Sequence, residues 1–233
     1  MAPEIFGSSI VAVGSFNPAI FSADWLLAQK LIGADDRDAA QSSPNVLVSS
    51  QVAFCETDWF QLQVVDAQLS IHSKGALTPA LYDFAQGLLE LVPHTPVTAI
   101  GLNFMAHFKM GSVADYHKVG DAFAPKPIWQ SVFGTSEKKI GLVDLQVQLT
   151  HGDRDAPSAT ADRLVVQLQP SSVISPGIYL MMNDHRAEFS TDSKRANARG
   201  ASTIVRDHWN ETKERATAVF NTLLETALKE PMP

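Results

Sequence analysis

The chain predicts an α+β fold: one continuous antiparallel sheet with two long helices on one face. Two observations predict it. Hydrophobic residues alternate with period two along most of the 233 residues, the mark of strands with one apolar and one mixed face. The elements also recur in the same order, since each half reads strand, short helix, three strands, long helix. Residues 1–95 and 96–233 are therefore read as two pseudo-repeats of a single domain.

In the first half, "EIFGSSIVAVGSF" predicts a strand over 5–15. "SADWLLAQKLI" opens on Ser22, a capping hydroxyl, and predicts a short helix over 23–32. Strands follow near 46–56, 58–66 and 67–73. "TPALYDFAQGLLELV" then places Thr78 as N-cap and Pro79 at the first helical position. Its stripe of Leu81, Phe84, Ala85, Leu88 and Val92 predicts a helix over 79–92.

The second half repeats the order. In "VTAIGLNFMAHFKM", Ile100, Leu102, Phe104, Ala106 and Phe108 point one way, and Asn103, Met105, His107 and Lys109 the other, predicting a strand over 97–110. Ser112 caps a short helix over 113–120. Strands near 139–150, 162–170 and 173–184 follow, the last after the turn signal Ser175-Pro176-Gly177. The final helix, over 203–228, carries Val205, Trp209, Ala216, Val219, Phe220, Leu223 and Ala227 at spacings of mostly three and four. This plan is similar to the saddle of TATA-binding-protein-like folds, a likeness of architecture that carries no function with it.

Composition narrows the class. Apolar residues make up 45% and charged residues 18%, as in a folded globular protein. The lone Cys55 can form no internal disulfide, and no apolar run approaches the length of a membrane span. A cytoplasmic protein without a membrane partner is expected. The net charge is −7, and all of it comes from residues 1–116, with 4 Lys/Arg against 11 Asp/Glu. An acidic chain repels phosphate backbones, so nucleic acid is not expected as a partner unless a local patch reverses the sign. One patch does: "SKRANARGASTIVR" holds Lys194, Arg195, Arg199 and Arg206 with no acid among them. It reads as a solvated, mobile linker entering the last helix, with anion contact as the alternative.

Motifs for chemistry are sparse. There is no nucleophile elbow, phosphate loop, dinucleotide fingerprint or helical zinc motif. "LTHGDRDAPSATADRL" concentrates His151, Asp153 and Asp155 between two alternating strands. A polar hairpin tip explains it, since a metal site needs ligands braced by a rigid second shell. Cys55 falls within a strand and has no identifiable activating base. "MNDHRAEF" reads as a strand leaving the sheet into a polar linker. No catalytic residue, metal or cofactor is assigned.

The mixed sheet face is the better functional clue. Gln61, Gln63, Asn103, His107, Gln146, Gln148, Gln167 and Gln169 are expected to populate the face opposite the helices. Such a face suits hydrogen bonding to a partner and does not suit acid–base catalysis. "HTPVTAIGLNF" and "DHWNETKERATAVFNTLLETAL" resemble a sporadically distributed group of uncharacterised bacterial proteins of about this length. That resemblance implies an accessory role, such as phage defence or a mobile-element function. The residues point to a non-enzymatic interaction or assembly protein that binds another protein, or itself, through a sheet face or edge. The alternative is a small-molecule or nucleic-acid binding module using the open face and the 194–206 patch.

Overall fold

The computed structural model describes residues 1–75, 79–134, 140–150 and 161–229. Thr78, expected as an N-cap, and His151, Asp153 and Asp155, expected at a hairpin tip, lie outside the described residues. Nine strands form one antiparallel sheet: β1 (Ile5–Gly14), β2 (Leu47–Val48), β3 (Val52–Glu56), β4 (Phe60–Val65), β5 (Gln68–Ser73), β6 (Val97–Lys109), β7 (Leu145–Thr150), β8 (Arg163–Pro170) and β9 (Gly177–Arg186). Their order is β2-β3-β4-β5-β1-β6-β9-β8-β7. The two strands that open the halves, β1 and β6, pair at the centre over ten residue partners, from Ile5 opposite His107 to Gly14 opposite Val97.

Alternation decides which side chains meet the helices. Ile10, Leu102, Phe104, Ala106, Leu62, Ile71 and Leu180 share one side and are at most 1% exposed. Onto that side pack α3 (Pro79–Leu91) and α6 (Ala198–Lys229). Phe84 of α3 lies 4.5 Å from the Phe60 ring, and Trp209 of α6 lies 4.7 Å from Phe104. Val205, Trp209, Ala216, Phe220 and Leu224 are all buried along α6, a spacing of four or seven that keeps one stripe on the sheet. The two helices also hold each other, since Gln86 Nε2 donates to the Ser202 carbonyl at 2.7 Å.

Shorter helices complete the layer. Ser22 caps α1 (Ala23–Ala28), its Oγ accepting from the Trp25 amide at 3.1 Å. Ser112 does the same for α4 (Val113–Phe123), accepting from Asp115 N at 3.0 Å. Two helices have no counterpart in the sequence reading. α2 (Ala34–Ser42) starts with Asp35 and Asp36 in the first turn, where carboxylates favour the helix dipole, and buries only Ala40. α5 (Lys126–Phe133) buries nothing. α2 has no apolar stripe, and α5 carries its apolar side over only eight residues.

Three further readings are corrected. The strand expected over 139–150 begins at Leu145, and Val143 before it is 79% exposed. The 194–206 segment is mostly helix: α6 starts at Ala198, so Arg199 and Arg206 ride on it while Ala198, Gly200, Ala201, Ser202, Ile204 and Val205 are buried beneath them. Gly200 is required there, because a Cβ would lie 2.0 Å from the Arg195 carbonyl oxygen. The strand β9 does not run out into a polar linker at Asp184. That carboxylate is 3% exposed and pins α6 to the sheet, accepting from Thr212 Oγ1 at 2.7 Å and from Arg186 Nε at 2.7 Å.

Candidate interaction surface

The register brings all eight expected positions to one face, opposite α3 and α6. One row crosses eight strands at the level of Ser9: Glu56, Gln61, His72, Ser9, Asn103, Asn183, Val165 and Gln148. Gln63 lies in the next row with Ser70, Val11, Gly101 and His185. Gln146 and Gln167 share a row with Met181 and Met105, and His107 shares one with Tyr179 and Gln169. α3 and α6 pack on the other side, against Phe60 and Phe104.

The centre of this face is small and the surround is large. Ser9 and Ser70 are 3% exposed and Asn103 is 7% exposed, sunk between the flanking imidazoles, methionines and Tyr179. A Cβ on Gly101 would stand 3.5 Å from Asn183 Nδ2 and 3.7 Å from Asn103 Nδ2, so any long side chain there would fill the depression. Asn103 Nδ2 donates to the Ser9 carbonyl at 3.3 Å. Asn183 Oδ1 is buried with no hydrogen-bond partner among the described residues.

Several glutamines are already engaged. Gln146 and Gln167 both donate to Asp144, at 3.1 and 2.9 Å. Gln148 donates to Thr150 at 2.8 Å, and Gln61 to Glu56 at 2.9 Å. His107 Nδ1 meets Ser171 Oγ at 2.9 Å and packs on Tyr179 at 4.8 Å. Burial lowers the pKa of His72, His107 and His185, with the nearby Arg163 charge adding to the effect at His185. All three imidazoles are therefore neutral at neutral pH, and the face presents donors and acceptors with little net charge.

The basic patch does not join this face. Lys194 and Arg195 sit in the turn before α6, and Arg199 and Arg206 are exposed on the helix itself. Arg206 is spent in part on Asp207, at 3.3 Å. The four cations thus spread over the turn before α6 and about two turns of the helix and do not converge.

A second cluster was not assigned a role from the sequence. Arg186 bridges Asp184 and Asp162, and burial, which opposes its charge, is more than offset by the two carboxylates. Asp162 also accepts from the amides of Ala187 and Glu188 at 2.7 and 3.0 Å. Its signal was present: Asp184 and Arg186 occupy the same parity as Leu180 and Met182, the side that should be apolar. Charge on a buried parity demands a partner. The cluster is structural, holding β9, the turn after it and α6 together.

The far flank differs from the rest of the molecule. β7 ends the sheet, and its apolar residues Val147 and Leu149 are each 59% exposed. With Leu164, Val166, Phe123, Val219 and Leu223 they line an apolar groove of about 210 Å³ between the sheet and α6. Ile128, Trp129, Val132 and Phe133 of α5 are also exposed, at 43–67%.

Among the described residues, no group of three His, Cys, Asp or Glu side chains could hold a metal ion, and no helix is long and apolar enough to cross a membrane. Comparison with protein-family models and with curated proteins finds no match to this chain.

Proposed function

We propose that this is a non-enzymatic interaction or assembly protein, whose uncovered sheet face is recognised by another protein. One observation carries the reading: Gln61, Gln63, Asn103, His107, Gln146, Gln148, Gln167 and Gln169 share a single uncovered face, on which the imidazoles are neutral. Neutral amides and imidazoles lose less on desolvation than ions do, and interface centres are depleted in charge for that reason. A nucleic acid would require a positive field, but on this face Arg163 and Lys109 stand against Glu56 and Asp144. The small-molecule alternative has its own support in the buried, unpartnered Asn183 Oδ1, which a ligand donating one hydrogen bond would satisfy.

We also infer that the sheet arose by internal duplication on a saddle-like plan. The strand order supports this, since β1 and β6, β5 and β9, β4 and β8, and β3 and β7 occupy matching places about the centre. A cytoplasmic setting accords with the single, unpaired Cys55.

The test uses affinity-tagged full-length chain expressed in its native host. The protein that co-purifies is identified, produced separately and titrated against wild type and against Gln63→Lys/Gln148→Lys/Gln169→Lys. All three positions are at least partly exposed, so the variant should fold normally. Saturable binding weakened tenfold or more supports the reading. Binding untouched by the three lysines, or retention of nucleic acid or a small molecule in place of protein, overturns it.

A further inference from the structure

We infer that the open flank is a contact between two copies of this chain, in which α5 of each copy fills the apolar groove of the other. Among the described residues, the chain carries both halves of a complementary pair and covers neither. The groove between β7–β8 and α6 is lined by aliphatic and aromatic side chains alone. α5 presents Ile128, Trp129, Val132 and Phe133 at i, i+1, i+4 and i+5, one side of a helix, and buries no residue at all among those described.

Its own groove is close, because Phe123 at the end of α4 lines it and α5 begins three residues later. The connection nevertheless holds α5 away. Pro125 and Pro127 restrict the backbone at its start, and Lys126 Nζ is tied back to Asp121 Oδ2 of α4 at 2.8 Å. The exposed helix is therefore presented outward, where a second chain related by a two-fold axis can take it while offering its own helix in return.

Area and charge both fit that occupant. The four α5 side chains together with Val143, Val147 and Leu149 are 43–79% exposed. Each leaves on the order of 100 Å² in water, so two chains would bury roughly 1,400 Å², within the range of about 1,200–2,000 Å² for stable interfaces. Past Lys126, α5 carries no charge, and the groove carries none, so two acidic chains meet here without like-charge repulsion. This contact is separate from the polar face and does not depend on how that face is used.

Sedimentation equilibrium of the full chain at micromolar concentration tests the inference. Wild type should be a dimer. Trp129→Glu/Val132→Glu on the helix and Val147→Glu in the groove should each be monomeric, with unchanged far-UV circular dichroism because none of the three residues is buried. An equimolar mixture of the helix variant and the groove variant should restore a dimer weaker than wild type, since one intact helix still meets one intact groove. A wild type that is monomeric throughout, a dimer that survives either variant, or a mixture that stays monomeric overturns the inference.

Discussion

The two flanks of this sheet carry the same kind of strand and meet opposite fates. On the side of β3 and β4, Ala53, Cys55, Phe60, Leu62 and Val64 are at most 1% exposed. On the side of β7 and β8, Val147 and Leu149 alternate just as regularly and remain 59% exposed. The difference lies in what covers them. Over the first flank the chain folds α1, α2 and the Phe16–Phe21 segment, burying Phe16, Phe21, Leu26 and Ala40, with the Phe21 and Trp25 rings 5.6 Å apart edge to face. Over the second, Leu164 and Leu168 of β8 are buried, while Val147 and Leu149 of β7 line a groove against Val219 and Leu223 of α6 that stays open. Alternation makes a strand able to be buried; a covering element makes it core.

The largest effect should come from the covered side. Phe60→Ala should cost about 3–5 kcal/mol, and Phe220→Ala under α6 a similar amount, because each leaves a cavity in packed aromatic surroundings. Leu149→Ala, measured by urea denaturation at high dilution, should cost under about 0.5 kcal/mol. Equal losses at Phe60 and Leu149 would mean that the second flank is covered in the single chain after all, and the contrast between the flanks would fail.

Next in size is the polar pin on the β9 side. Asp184→Ala should destabilise by about 3 kcal/mol, since it leaves Arg186 half-neutralised and Thr212 Oγ1 without an acceptor inside the fold. Thr212→Val should cost about 1 kcal/mol. A double-mutant cycle in which the two losses simply add would show that α6 is held on this side by packing alone.

A smaller effect concerns pH. His72, His107 and His185 bind protons less tightly folded than unfolded, where the reference value is 6.5. The unfolded chain therefore holds more protons just below that value. Their contribution to stability is complete above about pH 7, falls as the pH drops through 6.5, and levels off once the folded imidazoles titrate. Urea midpoints should decline across that window, and His72→Gln/His185→Gln should flatten the decline. A decline of the same steepness in the variant would assign it to carboxylates elsewhere.

The smallest readout is chemical. Burial, with the Asp36 and Glu56 carboxylates adding to it, pushes the Cys55 thiol up to about 11. The native thiol should therefore resist alkylation at mildly alkaline pH and react at the free-thiol rate once the chain is unfolded. Fast reaction in native protein would show that the covered flank opens readily.

How much of this was legible beforehand follows from the range of each signal. The two long helices, the central strands and the face shared by Gln61, Asn103 and Gln148 are written in periodicities that extend over many residues. α2 and α5 were not legible, because α2 is an acid-rich turn with one buried alanine and α5 carries its apolar side over only eight residues. The Asp184–Arg186–Asp162 cluster was visible as charge on the wrong parity. Its partner Thr212 was not, being 28 residues away from Asp184 on another element.

The amino-acid order alone settled which side chains of each strand share a face, because a strand turns its side chains by half a revolution per residue wherever it sits. It settled the class of fold for the same reason. It could not settle which strands neighbour one another, which flank the helices seal, or that two basic residues sit before α6 and two on it while eight polar ones gather on a face. Those outcomes depend on contacts between residues up to about half the chain apart, and local pattern is silent about them until the chain has closed on itself.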